Sequence, residues 1–121
     1  MIGIGSDLVE LERFRAALAR TPTLAGRLFS DAERAYAGLR ADPTERLAVR
    51  FAAKEAVMKA MSVGLGAFPL RDVEVVRAES GQPSLSLSGR AAELAAERGI
   101  TTWRLTLTHT DTVAQAIAVA L

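Results

Sequence analysis

Between Leu47 and Met61 the chain reads as uninterrupted helix. The run Arg50-Phe51-Ala52-Ala53-Lys54-Glu55-Ala56-Val57-Met58-Lys59 within it restricts the possible folds more than any other stretch. On a helical wheel Leu47, Phe51, Met58 and Met61 form one apolar stripe with Lys54 in its middle. Glu55 and Lys59, four residues apart, stand together on the flank of that stripe. An ammonium inside an apolar seam is a strong constraint, because burying it without a partner is strongly unfavourable. Two readings follow. Lys54 lays its stem along the core and reaches water beside a surface ion pair, or the helix turns this charged cluster towards a functional site.

The N-terminus bears on that choice. Ile2-Gly3-Ile4-Gly5-Ser6-Asp7 reads as a short strand over 2–7, so Asp7 stands where regular backbone gives way to a turn. By itself such an Asp is a turn or cap residue. With Glu55 it supplies two hard oxygen ligands from distant parts of the chain. Mg²⁺ is commonly held by one or two carboxylates, with waters and substrate phosphates completing its shell. Arg46, Arg50, Lys54 and Lys59 would then suit the charge of a phosphate-bearing substrate.

The remaining elements follow from local signals. A helix near 10–20 stops at Thr21-Pro22, and Ser30 with Glu33 forms a capping box for a helix near 31–39. Asp42-Pro43 opens the long helix, which runs to about Ser62 and ends through Gly64 and Gly66. Residues 72–79 and 83–88 form a hairpin around Ser80-Gly81-Gln82, and a helix over 90–98 stops at Gly99. Strands over 102–109 and 112–120 close the chain. Helices early and strands late predict an α+β fold: N-terminal helices and a long central helix packed on an antiparallel sheet. The last strand is apolar on both faces, so both must be covered, which in so short a chain points to another subunit.

At 121 residues, half of them apolar, the sequence predicts one domain spanning 1–121. A net charge of +1 argues against a generally basic nucleic-acid binder. The absence of cysteine removes thiolate catalysis, disulfides and Cys-based zinc sites. Asp7 interrupts the only N-terminal apolar stretch, and no run is long enough to span a bilayer, so the expected setting is cytoplasmic and free of membranes. His109, the single histidine, sits near a strand end, where a structural role is the ordinary one.

Gly5-Ser6-Asp7 paired with Arg50-Phe51-Ala52-Ala53-Lys54-Glu55-Ala56-x-x-Lys59-Ala60 resembles the phosphopantetheinyl transferases, and most closely the short, single-domain holo-[acyl-carrier-protein] synthases. The resemblance runs through Asp7-x-x-Glu10, Gly64-Leu65-Gly66, Asp72-Val73-Glu74-Val75, Gly81-Gln82-Pro83 and Leu105-Thr106-Leu107-Thr108-His109-Thr110. It implies the 4′-phosphopantetheinyl transferase fold and a transferase of lipid metabolism in fatty acid biosynthesis. That enzyme moves 4′-phosphopantetheine from coenzyme A to a serine of apo acyl carrier protein and releases adenosine 3′,5′-bisphosphate. The implied catalytic residues are Asp7, Glu55 and Lys59, with Mg²⁺ on Asp7 and Glu55. The implied coenzyme A contacts are Lys59 and Lys54 at phosphate, Arg50 and His109 near the 3′-phosphate, and Gly64 and Gly66 beside the nucleotide. A homotrimer with active sites between subunits is implied as well. The carrier's acidic recognition helix would meet Arg13 and Arg20, one face of the first helix, with Arg15 off to the side. Two rivals stand beside this reading. One is a different Mg²⁺-dependent phosphoryl-transfer enzyme, disfavoured by the lack of a Walker or kinase-type glycine loop. The other is a non-catalytic oligomeric binding module in which Glu55 and Lys59 merely pair.

Overall fold

The centre of the molecule is one helix, α4 (Thr44–Ala60), buried on nearly every side: twelve of its residues are buried and Lys59 alone is exposed. The expected stripe of Leu47, Phe51, Met58 and Met61 is packed on the core, and so is most of the rest of the cylinder. Ala48, Ala52, Ala53, Ala56 and Ala60 remove bulk around the whole cylinder, so neighbouring segments close on it from several directions. The computed structural model describes residues 1–121.

Against α4 lies a three-stranded antiparallel sheet of β1 (Gly3–Glu10), β4 (Trp103–His109) and β5 (Val113–Ala120), in the order β1-β5-β4. The first strand thus pairs with the last, with Gly3 opposite Ala120 and Glu10 opposite Val113. Period-2 alternation sends Ala114, Ala116, Ala118 and Ala120 of β5 beneath α4, all fully buried. The opposite face of β5 has no cover from its own chain, as its doubly apolar sequence suggested. It carries Val113, Gln115, Ile117 and Val119 beside Ile4 and Leu8 of β1, which are 57 % and 60 % exposed.

Three further helices precede α4: α1 (Leu11–Arg20), α2 (Leu24–Leu28) and α3 (Asp31–Ala37). Phe14 of α1 meets Phe29 edge-on at 6.3 Å and stacks on Phe51 of α4 at 5.2 Å, which ties this layer to the core. After α4 come a 3₁₀ turn at Leu70–Asp72, the hairpin β2 (Val73–Arg77) and β3 (Pro83–Leu87), and α5 (Gly89–Glu97). The expected α+β class and capping box at Ser30 are present.

Three local expectations need correction, and one helix was not expected. β1 does not end at residue 7; it runs to Glu10 and passes directly into α1, so Asp7 is a mid-strand residue within the ladder that β1 forms with β5. The strands form two sheets, because the hairpin pairs only with itself. α4 ends before its glycines: Ser62 takes φ 58, and Val63 N–H bonds back to Met58 O at 3.0 Å, so the left-handed stop falls on a serine. α2, with five residues, is too short for an apolar period to reveal.

Candidate active site

Two glycines set the position of Asp7. Gly3, Gly5 and Asp7 project from the same side of β1, the side facing α4. A Cβ on Gly5 would overlap the Ala56 carbonyl oxygen and stand 2.7 Å from Ala60 N, and one on Gly3 would overlap the Ala60 carbonyl oxygen. Backbone therefore touches backbone, and the strand comes close enough to α4 for Asp7 to reach its charged flank. Lys59 Nζ donates to Asp7 Oδ1 at 3.1 Å and to Ser6 O at 2.9 Å.

Asp7 and Glu55 both line a groove of about 550 Å³, whose walls include Val9, Phe14, Phe51, Leu65 and Arg13. Partial burial raises the pKa of the Glu55 carboxyl, and the neighbouring Asp7 charge raises it further, with Lys59 opposing. Two carboxylates in repulsion inside a half-buried groove form a site that a cation relieves. No group of three or more His, Asp or Glu side chains forms a fuller metal cage. This donor set suits Mg²⁺, which keeps several waters and takes substrate oxygens.

A second concave site lies on the other flank of α4. The Tyr36 ring is covered by three guanidinium groups, with Arg46, Arg50 and Arg77 at 4.0, 4.6 and 5.0 Å from its centroid. With Arg40, Glu45 and His109 they line a cleft of about 410 Å³. His109 Nε2 lies 3.3 Å from Glu45 Oε1. Arg50 is buried, donates one bond to Arg46 O at 3.1 Å, and leaves its Nε without a partner. Burial lowers its pKa, Glu33 opposes and the Arg46 charge adds to the shift. Four guanidinium groups against one carboxylate make this a site for an anion. Tyr36, Arg40 and Arg77 are functional-site residues that sequence reasoning missed. Arg40 had a cue in its proximity to Arg46 and Arg50, whereas Arg77 arrives from the hairpin with no local signal.

The predicted site residues are thus divided. Asp7 and Glu55 meet at the groove, with Lys59 bonded to Asp7, and Arg50 and His109 meet in the cleft; no residue lines both. Gly64 and Gly66 flank Leu65, which is 79 % exposed at the groove, and no atom of the chain packs where their Cβ atoms would be. Arg13 reaches the groove, and neither Arg13 nor Arg20 forms an ion pair. Arg15 is committed to Glu12 and to Asp42, the latter at 2.7 Å.

Lys54 belongs to neither site, contrary to the expected phosphate contact. It is fully buried, and its ammonium donates to Glu33 Oε1 at 2.8 Å, Leu70 O at 3.1 Å and Val73 O. All three hydrogens are used inside the chain, so none remains for a ligand. Burial lowers its pKa while the Glu33 charge pulls the other way.

A family model described as the 4′-phosphopantetheinyl transferase superfamily matches residues 3–118. A holo-[acyl-carrier-protein] synthase of Frankia casuarinae is 48 % identical over 120 residues, covering 99 % of this chain and 97 % of the relative. The crystal structure of the holo-[acyl-carrier-protein] synthase of Neisseria meningitidis superimposes with a TM-score of 0.91 at 31 % identity, covering 100 % of this chain and 99 % of that one. The corresponding synthase of Bacillus anthracis, solved in complex with coenzyme A (3′,5′-ADP), gives 0.82 at 31 % identity over 98 % of this chain and 95 % of that one. With the Asp7–Glu55 pair and the α4-centred fold in place, the chain belongs to the 4′-phosphopantetheinyl transferase superfamily and is a transferase of its holo-[acyl-carrier-protein] synthase family.

Proposed function

We propose that this chain, acting as one domain, transfers 4′-phosphopantetheine from coenzyme A to the serine of an apo acyl carrier protein, with Mg²⁺ held by Asp7 and Glu55. The observation that carries this reading is that those two carboxylates line one groove, with Lys59 hydrogen-bonded to Asp7. The coenzyme A complex of the Bacillus anthracis relative supports the donor substrate. When bound, the ion supplies charge neutralisation at the pyrophosphate. Lys59, drawn to Asp7 in the free chain, turns to a pyrophosphate oxygen when substrate arrives. Phosphoryl-type transfer depends mostly on positioning and charge stabilisation, which a fixed strand and a fixed helix provide. The serine proton leaves to Glu55 or to a water beside it. The basic cleft takes the adenosine 3′-phosphate through Arg50 and His109, with Arg46 and Arg77 adding positive charge.

Because cleft and groove lie apart in one chain, the complete site is proposed to form between copies. The uncovered sheet face, with Ile4, Leu8, Ile117 and Val119, is the apolar surface for that contact. A closed homotrimer on this face would set the groove of one copy beside the cleft of the next. Arg13 at the groove rim, with Arg20 farther along α1, meets acidic residues around the acceptor serine. The setting proposed is the cytoplasm, in fatty acid biosynthesis.

Incubating the chain with coenzyme A, MgCl₂ and apo carrier protein should add one phosphopantetheine mass to the carrier, and chelating the metal should abolish the gain. No mass gain with any acyl carrier protein would overturn the reading. Sedimentation should give a trimer, and a stable, active monomer at micromolar concentration would overturn the shared site.

A further inference from the structure

The transfer as described leaves one pair of buried charges without a task. Lys54 and Glu33 have no side-chain exposure. Besides accepting from Lys54, Glu33 Oε1 accepts from Ser30 N–H at 2.9 Å and Oε2 accepts from Val75 N–H at 2.9 Å. With the Leu70 and Val73 carbonyls, this pair binds α4 to three other segments: the start of α3, the 3₁₀ turn and β2. Stability alone is a weak reason for such an arrangement, since apolar replacements of a buried ion pair are often neutral or stabilising.

Its place on α4 supplies a better one. Lys54 immediately precedes Glu55, and Arg50 lies one turn back on the same face. Five of the seventeen helix residues are buried alanines, whose methyl groups interlock less with their neighbours than larger side chains do. Three hydrogen bonds from one ammonium to three separate segments resist rotation about the helix axis. A roll of about 10° would move a carboxylate held about 6 Å from the axis by about 1 Å, and misplacement of that size can cost roughly 10²-fold in rate.

We propose that Lys54 and Glu33 are positioning residues for the transfer reaction: their buried contact sets the roll of α4 so that Glu55 and Lys59 face Asp7 while Arg50 faces the basic cleft. This rests on Asp7 and Glu55 being the metal pair.

The test is the double variant Glu33→Gln/Lys54→Met, which leaves no unpaired charge and keeps a side chain able to complete the capping box. Its melting temperature, kcat, KM for carrier and half-saturating Mg²⁺ concentration are compared with those of the wild type. The expected result is a folded protein with kcat lowered about 30-fold or more, half-saturating Mg²⁺ raised several-fold and carrier KM unchanged. A folded double variant with wild-type kcat and Mg²⁺ requirement overturns the proposal. Lys54→Arg, which keeps the charge but displaces the head group, should fold and show the same two changes; wild-type values there also overturn it. Failure of both variants to fold makes the pair a folding requirement and overturns its positioning role. Asp7→Asn separates the premises. If it keeps full Mg²⁺-dependent transfer, the metal reading fails; if it loses transfer while the double variant does not, the positioning role alone fails.

Discussion

Lys54 and Lys59 stand five residues apart on one helix, each beside a carboxylate, and the environment makes them chemically different. The Lys54–Glu33 pair is sealed, whereas the side chains of Lys59 and Asp7 are 54 % and 18 % exposed. In the interior, a charge that loses its partner has no water to turn to, so both partners are locked in place. In the groove, solvent can replace either partner, and the contact is weak enough to be exchanged for substrate. The same residue type therefore braces the fold at one position and is free to act at the other.

Breaking that contrast produces the largest expected effect. Lys54→Met strands Glu33 in the core and should cost about 3–5 kcal/mol, lowering the melting temperature by roughly 10–20 °C. Lys59→Met should leave melting nearly unchanged and reduce transfer at least tenfold. Thermal melts and the carrier mass assay on both variants test the contrast. Comparable loss of stability in the two would abolish it.

The groove carboxylates sharpen the same point. Asp7→Asn and Glu55→Gln remove charge and keep shape, so each should lower transfer by roughly 10²–10³-fold, equivalent to about 3–4 kcal/mol of barrier. Stability should hold or rise slightly, because burial and then the Asp7 charge disfavour the ionised Glu55 carboxyl, and each substitution relieves at least the repulsion. Near-normal turnover at limiting Mg²⁺ in either variant would remove that residue from the site.

How far such differences could be read in advance depended on the range of the interaction. The capping box at Ser30, the start of α4 and the hairpin turn at Gly81 are set by residues within a few positions of each other, and all were legible. The placing of Lys54 inside an apolar seam was also legible, as a problem. Its solution, Glu33, lies 21 residues away and was already spoken for as a cap. Likewise Gly5 was legible only as part of the first strand, because the α4 backbone it packs against, at Ala56, lies far along the chain. The groove could be anticipated from Asp7 and Glu55. The cleft could not be anticipated in full, since Arg77 enters it through the tertiary position of a hairpin.

The arginines of α1 extend the contrast to the surface. Arg13 and Arg20 are unpaired, while Arg15 is bound to Asp42. Arg13→Glu should raise carrier KM several-fold, leave coenzyme A KM unchanged and flatten the salt dependence of carrier binding, since charges on a docking rim are screened over about 8 Å at physiological ionic strength. The same substitution at Arg15 should leave carrier KM unaltered. If Arg13→Glu and Arg20→Glu both leave carrier KM and its salt dependence as in the wild type, the docking surface lies elsewhere.

The smallest effect belongs to the partner that occupies Arg15. Asp42 accepts a bond from Thr44 N–H at 3.1 Å at the start of α4, and its carboxyl pKa is lowered to about 2, chiefly by bonding with the Thr44 side chain and backbone and then by Arg15. A carboxyl whose folded pKa lies below its unfolded value contributes stability that is complete above the unfolded value and lost as pH falls through the folded one. The relevant window therefore runs from about pH 4 down to about pH 2. The Asp42 side chain is 59 % exposed, and solvent screening holds the contribution below about 1 kcal/mol. Asp42→Asn keeps an oxygen for the Thr44 N–H and removes only the charge. Denaturant melts at pH 7 should show the variant slightly less stable, and the gap should close as pH approaches 2. A constant gap across that range would mean that the carboxylate charge contributes nothing to stability.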